Sequence, residues 1–286
     1  MNGILIMNKP QDFTSHDVVG KLRGICKTRR IGHTGTLDPM ATGVLPVFIG
    51  RATRACEFAM GDDKTYVAHI RLGLTTDTQD ITGETLSTST VTCTEAEVRA
   101  VCASFVGEIS QIPPMYSAIK IGGKKLCDLA RSGVEVERPP RNITIHSIDV
   151  SPLSESEYSL TVHCSKGTYI RTLCADIGAK LGCGACLSYL HRTQAGVYTI
   201  EQAYTFEQVQ ENPEGCLLPV DSLFAQYPAV KISGKNEQKC RNGAPVPCKD
   251  AQNGALYRVY NADGEFLMLA RGENQTLRTV KSFFEV

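Results

Sequence analysis

With 286 residues, 30 Lys and Arg balanced by 30 Asp and Glu, and 42% hydrophobic residues, the chain has length for one large domain and a smaller one beside it. A charged fraction of 21% and a mean hydropathy of -0.13 exclude a disordered polyelectrolyte and a bundle of membrane helices. Zero net charge leaves a nucleic-acid partner open, because local patches decide binding, and residues 1–60 hold eight Lys/Arg against four Asp/Glu.

The apolar run at 4–7 is cut off by Asn8-Lys9-Pro10 and has no basic segment before it, so it is no signal-peptide core and a cytoplasmic protein is expected. Twelve cysteines are scattered along a long chain, which points to free thiols. Cys183-Gly-Ala-Cys186 has no second such pair and no matching histidine pair to complete a zinc site, and reads as buried structural thiols.

Residues 3–8 predict a short strand ended by Lys9-Pro10. Thr14-Ser15 opens a helix, since Val18, Val19, Leu22, Ile25 and Cys26 follow at helical spacing while Lys21, Arg23 and Lys27 take other faces. That helix delivers the chain into residues 31–50, IGHTGTLDPMATGVLPVFIG, where Asp38 is the only acid. Glycines there allow close backbone approach, threonine hydroxyls pin turns, and Pro39 pushes Asp38 out of the helical region. Lys21, Arg23, Lys27, Arg29, Arg30, Arg51 and Arg54 flank that acid, a pattern suited to a polyanion bound around one carboxylate. Taken alone, a loop of this composition reads first as a turn whose aspartate caps a backbone N–H. It is no phosphate-cradling loop, because the G-x-x-x-x-G-K-[ST] spacing is absent.

Residues 44–49 predict a buried strand and 53–60 a short helix. KTYVAHIRLGL at 64–74 alternates as a strand with Tyr66, Ala68, Ile70 and Leu72 on one face. In TTDTQDITGE at 75–84, Asp77 and Asp80 either bind a metal or bond their own backbone, and turn chemistry favours the second. Thr94-x-x-Glu97 is a capping box for a helix reaching about residue 105, and Pro113-Pro114 breaks the segment after it. Residues 124–131 predict another short helix, closed by Gly133, inside a second basic stretch (117–145) with six Lys/Arg against three Asp/Glu.

Residues 142–150 and 158–165 alternate like paired strands, and Lys166-Gly167 turns the chain into a helix with Tyr169 and Arg171 at its start. A strand at 185–193 and a helix from Thr205 follow. Beyond a boundary at 224–228, short strands and the Asn261-Ala-Asp-Gly264 turn predict a small β-barrel.

Several segments form one ordered pattern: NKP at 8–10, TSHDVV at 14–19, GHTGTLDPMATG at 32–43, KTY at 64–66 and TDTQD at 76–80. PPMYSAIK at 113–120, LARSG at 129–133, KGTYIRT at 166–172 and LSYLHRTQAG at 187–196 extend it. Together they resemble the TruB family of tRNA pseudouridine synthases. The resemblance implies an α+β fold, with a mixed, mostly antiparallel sheet of the pseudouridine synthase type flanked by helices. It divides the chain into a catalytic domain at 1–223, with an RNA-contacting insertion at about 76–125, and a small PUA-type RNA-binding domain at 224–286. Two residues depart from the pattern: Asp12 stands where glycine is usual, and Cys127 where tyrosine is common.

The family reaction detaches uracil from its ribose, turns it in the pocket and reattaches it through C5, with no cofactor and no metal. By resemblance, Asp38 is the essential carboxylate, acting at C1′, at the 2′ proton or by addition to C6, and Arg171 is its partner. Tyr66 is the residue that stacks on the flipped base, with assistance to proton removal from C5 as a second role, Tyr169 packs on or hydrogen-bonds the target nucleotide, and Leu190 supplies an apolar wall. His33 enters the space the flipped bases leave, while Lys9, Lys21, Arg29 and Arg30 are candidates for RNA contacts. The implied partner is the T arm of tRNA, with uridine 55 as target, for a cytoplasmic monomer needing neither a membrane nor a protein partner. Two rival readings remain: an RNA-guided relative within a ribonucleoprotein, and a noncatalytic tRNA-folding protein that tolerates loss of Asp38.

Overall fold

In the computed structural model, which describes residues 1–285 except 62 and 118, the first apolar run becomes strand Gly3–Lys9, buried along nearly all its length. It pairs antiparallel with Thr42–Ile49, which is equally buried. Burial without alternation requires cover on both faces. On one face Leu5, Met7, Leu45 and Val47 meet Val18, Leu22, Phe206 and Val209 of helices Ser15–Ile25 and Phe206–Glu211. On the other, Ile4, Ile6, Val44 and Phe48 pack with Phe224, Leu269 and Phe283 from the C-terminal part.

From Thr42–Ile49 the sheet continues through Ala185–Ala195, Lys64–Leu72, Glu157–Cys164, Arg141–Pro152 and Gly107–Gln111. The first of these junctions is parallel and the others are antiparallel. Leu217–Leu218 forms the far edge, and Ile31–His33 and Tyr198–Thr199 complete ten strands. Along Lys64–Leu72 burial alternates as the sequence predicts: Tyr66, Ala68, Ile70 and Leu72 enter a core beneath helices Ile170–Leu181 and Glu95–Ala103. His69 and Arg71 take the opposite, partly solvated face.

Thr14, Thr94 and Thr205 cap their helices through full capping boxes, closed by Asp17, Glu97 and Gln208. The 75–84 loop follows turn chemistry, with Asp77 Oδ1 accepting from Glu84 N–H at 2.7 Å and Asp80 Oδ1 from Thr82 N–H at 3.0 Å. Two local expectations shift. Residues 53–60 divide between the 3-10 turn Gly50–Ala55 and one α turn, Cys56–Ala59. The helix expected from 124 starts at Leu126, because Gly122 and Gly123, both at positive φ, fold Lys120–Ile121 onto Lys124–Lys125 as a hairpin.

After Phe224 a five-stranded sheet (Ala229–Lys231, Leu256–Tyr260, Phe266–Glu273, Thr276–Ser282, Val246–Pro247) curls around Ile232, Val259, Leu267 and Leu277. Its strand order ends in two edges, so the small β-barrel expected here takes the form of an open, curled half-barrel. All twelve cysteines are free thiols, eight of them buried. Among the described residues, no helix is long and apolar enough to cross a membrane.

Candidate active site

Asp38 sits in the connection between Ile31–His33 and Thr42–Ile49. Three buried polar side chains from distant positions grip the backbone around it. Leu37 N–H donates to Ser15 Oγ at 2.9 Å, and that hydroxyl lies 3.2 Å from Leu37 O as donor. Lys9 Nζ donates to the carbonyls of Pro39 (3.1 Å), Phe13 (2.5 Å) and Pro10 (2.9 Å). Arg192 donates from Nη2 to Gly35 O and from Nε to Val44 O, both at 2.7 Å. Buried carbonyls require donors, so these bonds fix the path of the loop.

Gly43, at φ 99°, lets the strands meet here, since a Cβ would collide with the Arg192 carbonyl oxygen. Asp12 takes a φ of 64° while its N–H reaches Pro39 O at 2.9 Å. That left-handed conformation accounts for glycine being usual at this point of the motif, and aspartate tolerates it better than most residues.

Arg171 approaches from the first turn of Ile170–Leu181 and is 4% exposed. Its Nε lies 2.9 Å from Asp38 Oδ2 and its Nη1 3.6 Å from Asp80 Oδ2. Nη1 and Nη2 donate to Thr78 O (2.9 Å) and Tyr116 O (2.7 Å). The Nε contact makes Arg171 and Asp38 an ion pair. Upstream, the buried Gln111 amide holds Tyr169 at the helix start by both backbone groups: Tyr169 N–H donates to Oε1 at 2.8 Å, and Nε2 donates to Tyr169 O at 3.1 Å.

Asp38, Tyr66, Tyr169, Arg171, Leu190 and Arg192 line one cavity of about 410 Å³, with Lys64 and Lys166 also on its wall. This is within the size range of small-ligand sites. The Asp38 side chain is 38% exposed because it borders this open space. Burial among protein atoms nevertheless raises its pKa above the ordinary 3.8; Arg171 opposes the shift and the Asp80 charge adds to it. Burial likewise raises the Tyr66 phenol, against the pull of Arg192, its cross-strand neighbour, so Tyr66 stays protonated at neutral pH. Lys9 moves the other way, to about 8, because burial disfavours its charge more than Asp38 sustains it.

The structure thus brings together five of the residues singled out in the sequence: Asp38, Tyr66, Tyr169, Arg171 and Leu190. Lys9 requires a correction. It is 0% exposed and its ammonium is committed to three carbonyls, so it supports the Asp38 loop from behind and is not available to an RNA phosphate. His33 lies outside the cavity wall, its ring against His16 and its buried Nδ1 without a hydrogen-bond partner among the described residues. Burial lowers its pKa, with His16 and Arg192 assisting.

Lys21 sits over the Phe206 ring at 4.1 Å, away from the cavity. Arg29 and Arg30 are exposed at the turn before Ile31, and Arg30 Nε donates to Thr53 Oγ1 at 3.0 Å. Arg192, Gln111 and Asp80 were not identified as site residues from the sequence. Arg192 carried a signal: it shares the inward register with Leu190, and a charge on a buried strand face must have partners.

Residues 23–170 match the family model for the N-terminal domain of the TruB family pseudouridylate synthases. Residues 171–225 match that for the C-terminal domain of tRNA pseudouridylate synthase B. The chain is 51% identical to the tRNA pseudouridine synthase B of Alkaliphilus oremlandii over 245 residues, covering 85% of this chain and 82% of that protein. It is 43% identical to that of Halalkalibacterium halodurans, covering 94% and 92%. Among solved structures, one chain of a Cbf5-Nop10-Gar1 complex aligns with a TM-score of 0.73 at 25% identity, covering 99% of this chain and 85% of that one.

Proposed function

The chain belongs to the TruB family of tRNA pseudouridine synthases, and from that premise we propose that Asp38 carries the conversion of uridine 55 in the T loop of tRNA to pseudouridine. The protein is an isomerase. The N1–C1′ bond of the uridine breaks, the base turns, and C5 bonds to C1′; the proton lost from C5 is balanced by one gained at N1. The observation that carries this reading is the Asp38–Arg171 pair in a cavity walled by Tyr66 and Leu190.

A carboxylate in such a place stays ionised only when a nearby cation offsets its desolvation. Arg171 supplies that charge, and its two carbonyl partners hold it in place without help from substrate. Tyr66, protonated, offers a ring to stack on uracil and a hydroxyl to donate, which argues against a phenolate base. Tyr66→Phe should therefore retain substrate binding and measurable turnover. A loss of about 100-fold or more in kcat with unchanged tRNA affinity would return a proton-transfer role to the phenol.

Tyr169 and Leu190 confine the base from the other sides. Extracting it from the folded loop costs a few kcal/mol of stacking, and His33 is the group we assign to the vacated space. Phosphate contacts fall to Lys21, Arg29 and Arg30, so binding should weaken with salt. We divide the chain at 223/224, with the half-barrel as a PUA-type RNA-binding unit and 76–125 as an RNA-contacting insertion. We further propose that it acts as a cytoplasmic monomer on the T arm, without added cofactor or protein.

A second reading is an enzyme directed by a guide RNA; the chain shares its fold with the Cbf5 chain of a multiprotein complex. One experiment separates them: incubate the protein alone with unmodified tRNA carrying C5-tritiated uridine, and with the same tRNA bearing cytidine at position 55. Tritium release without any guide, abolished by the cytidine, supports the stand-alone reading. Release that requires a guide supports the second, and binding without release leaves an RNA-folding protein.

A further inference from the structure

We propose that Asp63, His146 and His163 form a site for one divalent transition-metal ion of the zinc type, on the sheet face opposite Tyr66. Among the described residues, these three place one ligand atom each within 4.8 Å of one another. The two imidazoles lie on neighbouring antiparallel strands, Arg141–Pro152 and Glu157–Cys164, with ring centroids 4.7 Å apart. His146 points outward by alternation beside the buried Ile145, and it is the extra residue of a β-bulge where the register slips between Ile145 and Ser147. His163 reaches the same face by ordinary alternation, because Val162 and Cys164 on either side of it are buried.

Asp63 completes the set from the start of the neighbouring strand, its Oδ2 3.0 Å from His146 Nε2. The Asp63 carbonyl accepts from Gly196 N–H at 2.9 Å, which anchors its backbone.

Ligand atoms in a tetrahedral zinc site stand about 3.3 Å apart, given bonds of about 2.0–2.1 Å. The Asp63–His146 pair is already at that spacing. The remaining approach is within reach of ring rotation by side chains that are half-buried or exposed. Two imidazoles and one carboxylate suit zinc, nickel or copper. Calcium and magnesium require more oxygen ligands than this cluster holds. A water molecule would take the fourth position on the open face. The chain continues from each of these strand ends into the cavity wall, through Lys64 after Asp63 and through Ser165 and Lys166 after His163. A bound ion would therefore tie three segments together beside the active cavity without contacting Asp38.

The test is titration of the full-length reduced protein with ZnCl2 and, for spectroscopy, with CoCl2. Wild type should bind one equivalent, with Co2+ lacking the thiolate charge-transfer band that the half-buried Cys56, Cys93, Cys127 or Cys248 would give. His163→Gln and Asp63→Asn should each weaken binding at least about tenfold. In unmutated protein, zinc should shift the ring resonances of His146 and His163 while leaving those of His69 and His191 in place, a readout that needs no variant to fold. Absence of binding, a thiolate band, or equal affinity in a folded His146→Gln/His163→Gln double variant would overturn the proposal.

Discussion

Arg171 and Arg241 each face two carboxylates, in opposite surroundings. Arg171 has Asp38 at 2.9 Å and Asp80 at 3.6 Å and is almost sealed from water. Arg241 has Glu237 and Glu265, both at 2.8 Å, with a third of its side chain exposed. Water screens the second cluster, so it contributes little to stability. The first carries a desolvation cost that its ion pairs and two carbonyls must offset.

The same contrast divides the larger regions around them. The catalytic part buries Lys9, Asp80, Arg171 and Arg192, while among the described residues after 224 Asn261 is the buried polar side chain. The number of ion pairs therefore does not locate a site. Charge that is buried, and held by main-chain partners gathered from distant segments, does.

That contrast can be broken at its strongest point by Asp38→Asn. Turnover should fall by at least about 10³-fold. Because burial raises the Asp38 pKa, the ionised carboxylate works against folding at neutral pH, and the thermal midpoint should hold or rise in the variant. Arg171→Met should do the reverse, leaving the buried Asp80 and the half-buried Asp38 with no guanidinium between them. A stability loss of about 3–5 kcal/mol is expected by denaturant titration. In the same variant the acid limb of kcat/KM, already above pH 3.8, should move higher, because the carboxylate protonates earlier as pH falls.

Lys9 gives a different signature. Its folded pKa of about 8 lies below the ordinary 10.5, so between those values the unfolded chain holds the extra proton and stability rises with pH. The rise should be on the order of 3 kcal/mol across that window and absent in Lys9→Met. Arg241→Ala marks the other end of the scale, with a change of at most about 1 kcal/mol and unaltered turnover.

What the sequence made legible was local. Capping boxes at Thr14 and Thr94 span four residues, and the inward set of Lys64–Leu72 follows from alternation alone, so those elements stand where periodicity places them. The ordered motifs likewise marked Asp38, Tyr66 and Arg171, which the fold gathers from three separate elements.

The supports of the site were not legible, because each joins positions far apart: Lys9 to Pro39, Gln111 to Tyr169, and Arg192 to Gly35 across 157 residues. No periodicity encodes such a contact. Lys9 misled for a related reason: a lysine beside a proline at a strand end looks solvated until the loop that covers it is known. Asp12 is the converse case, a departure from the family pattern whose meaning became clear once its positive φ and its bond to Pro39 were seen.

The most direct test of the account is a single-turnover measurement with Asp38→Asn in excess over C5-tritiated tRNA, with tRNA affinity measured on the same preparation. Affinity within a few fold of wild type and no tritium release is the expected result. Release at a rate near that of wild type would contradict the central role of the Asp38 carboxylate.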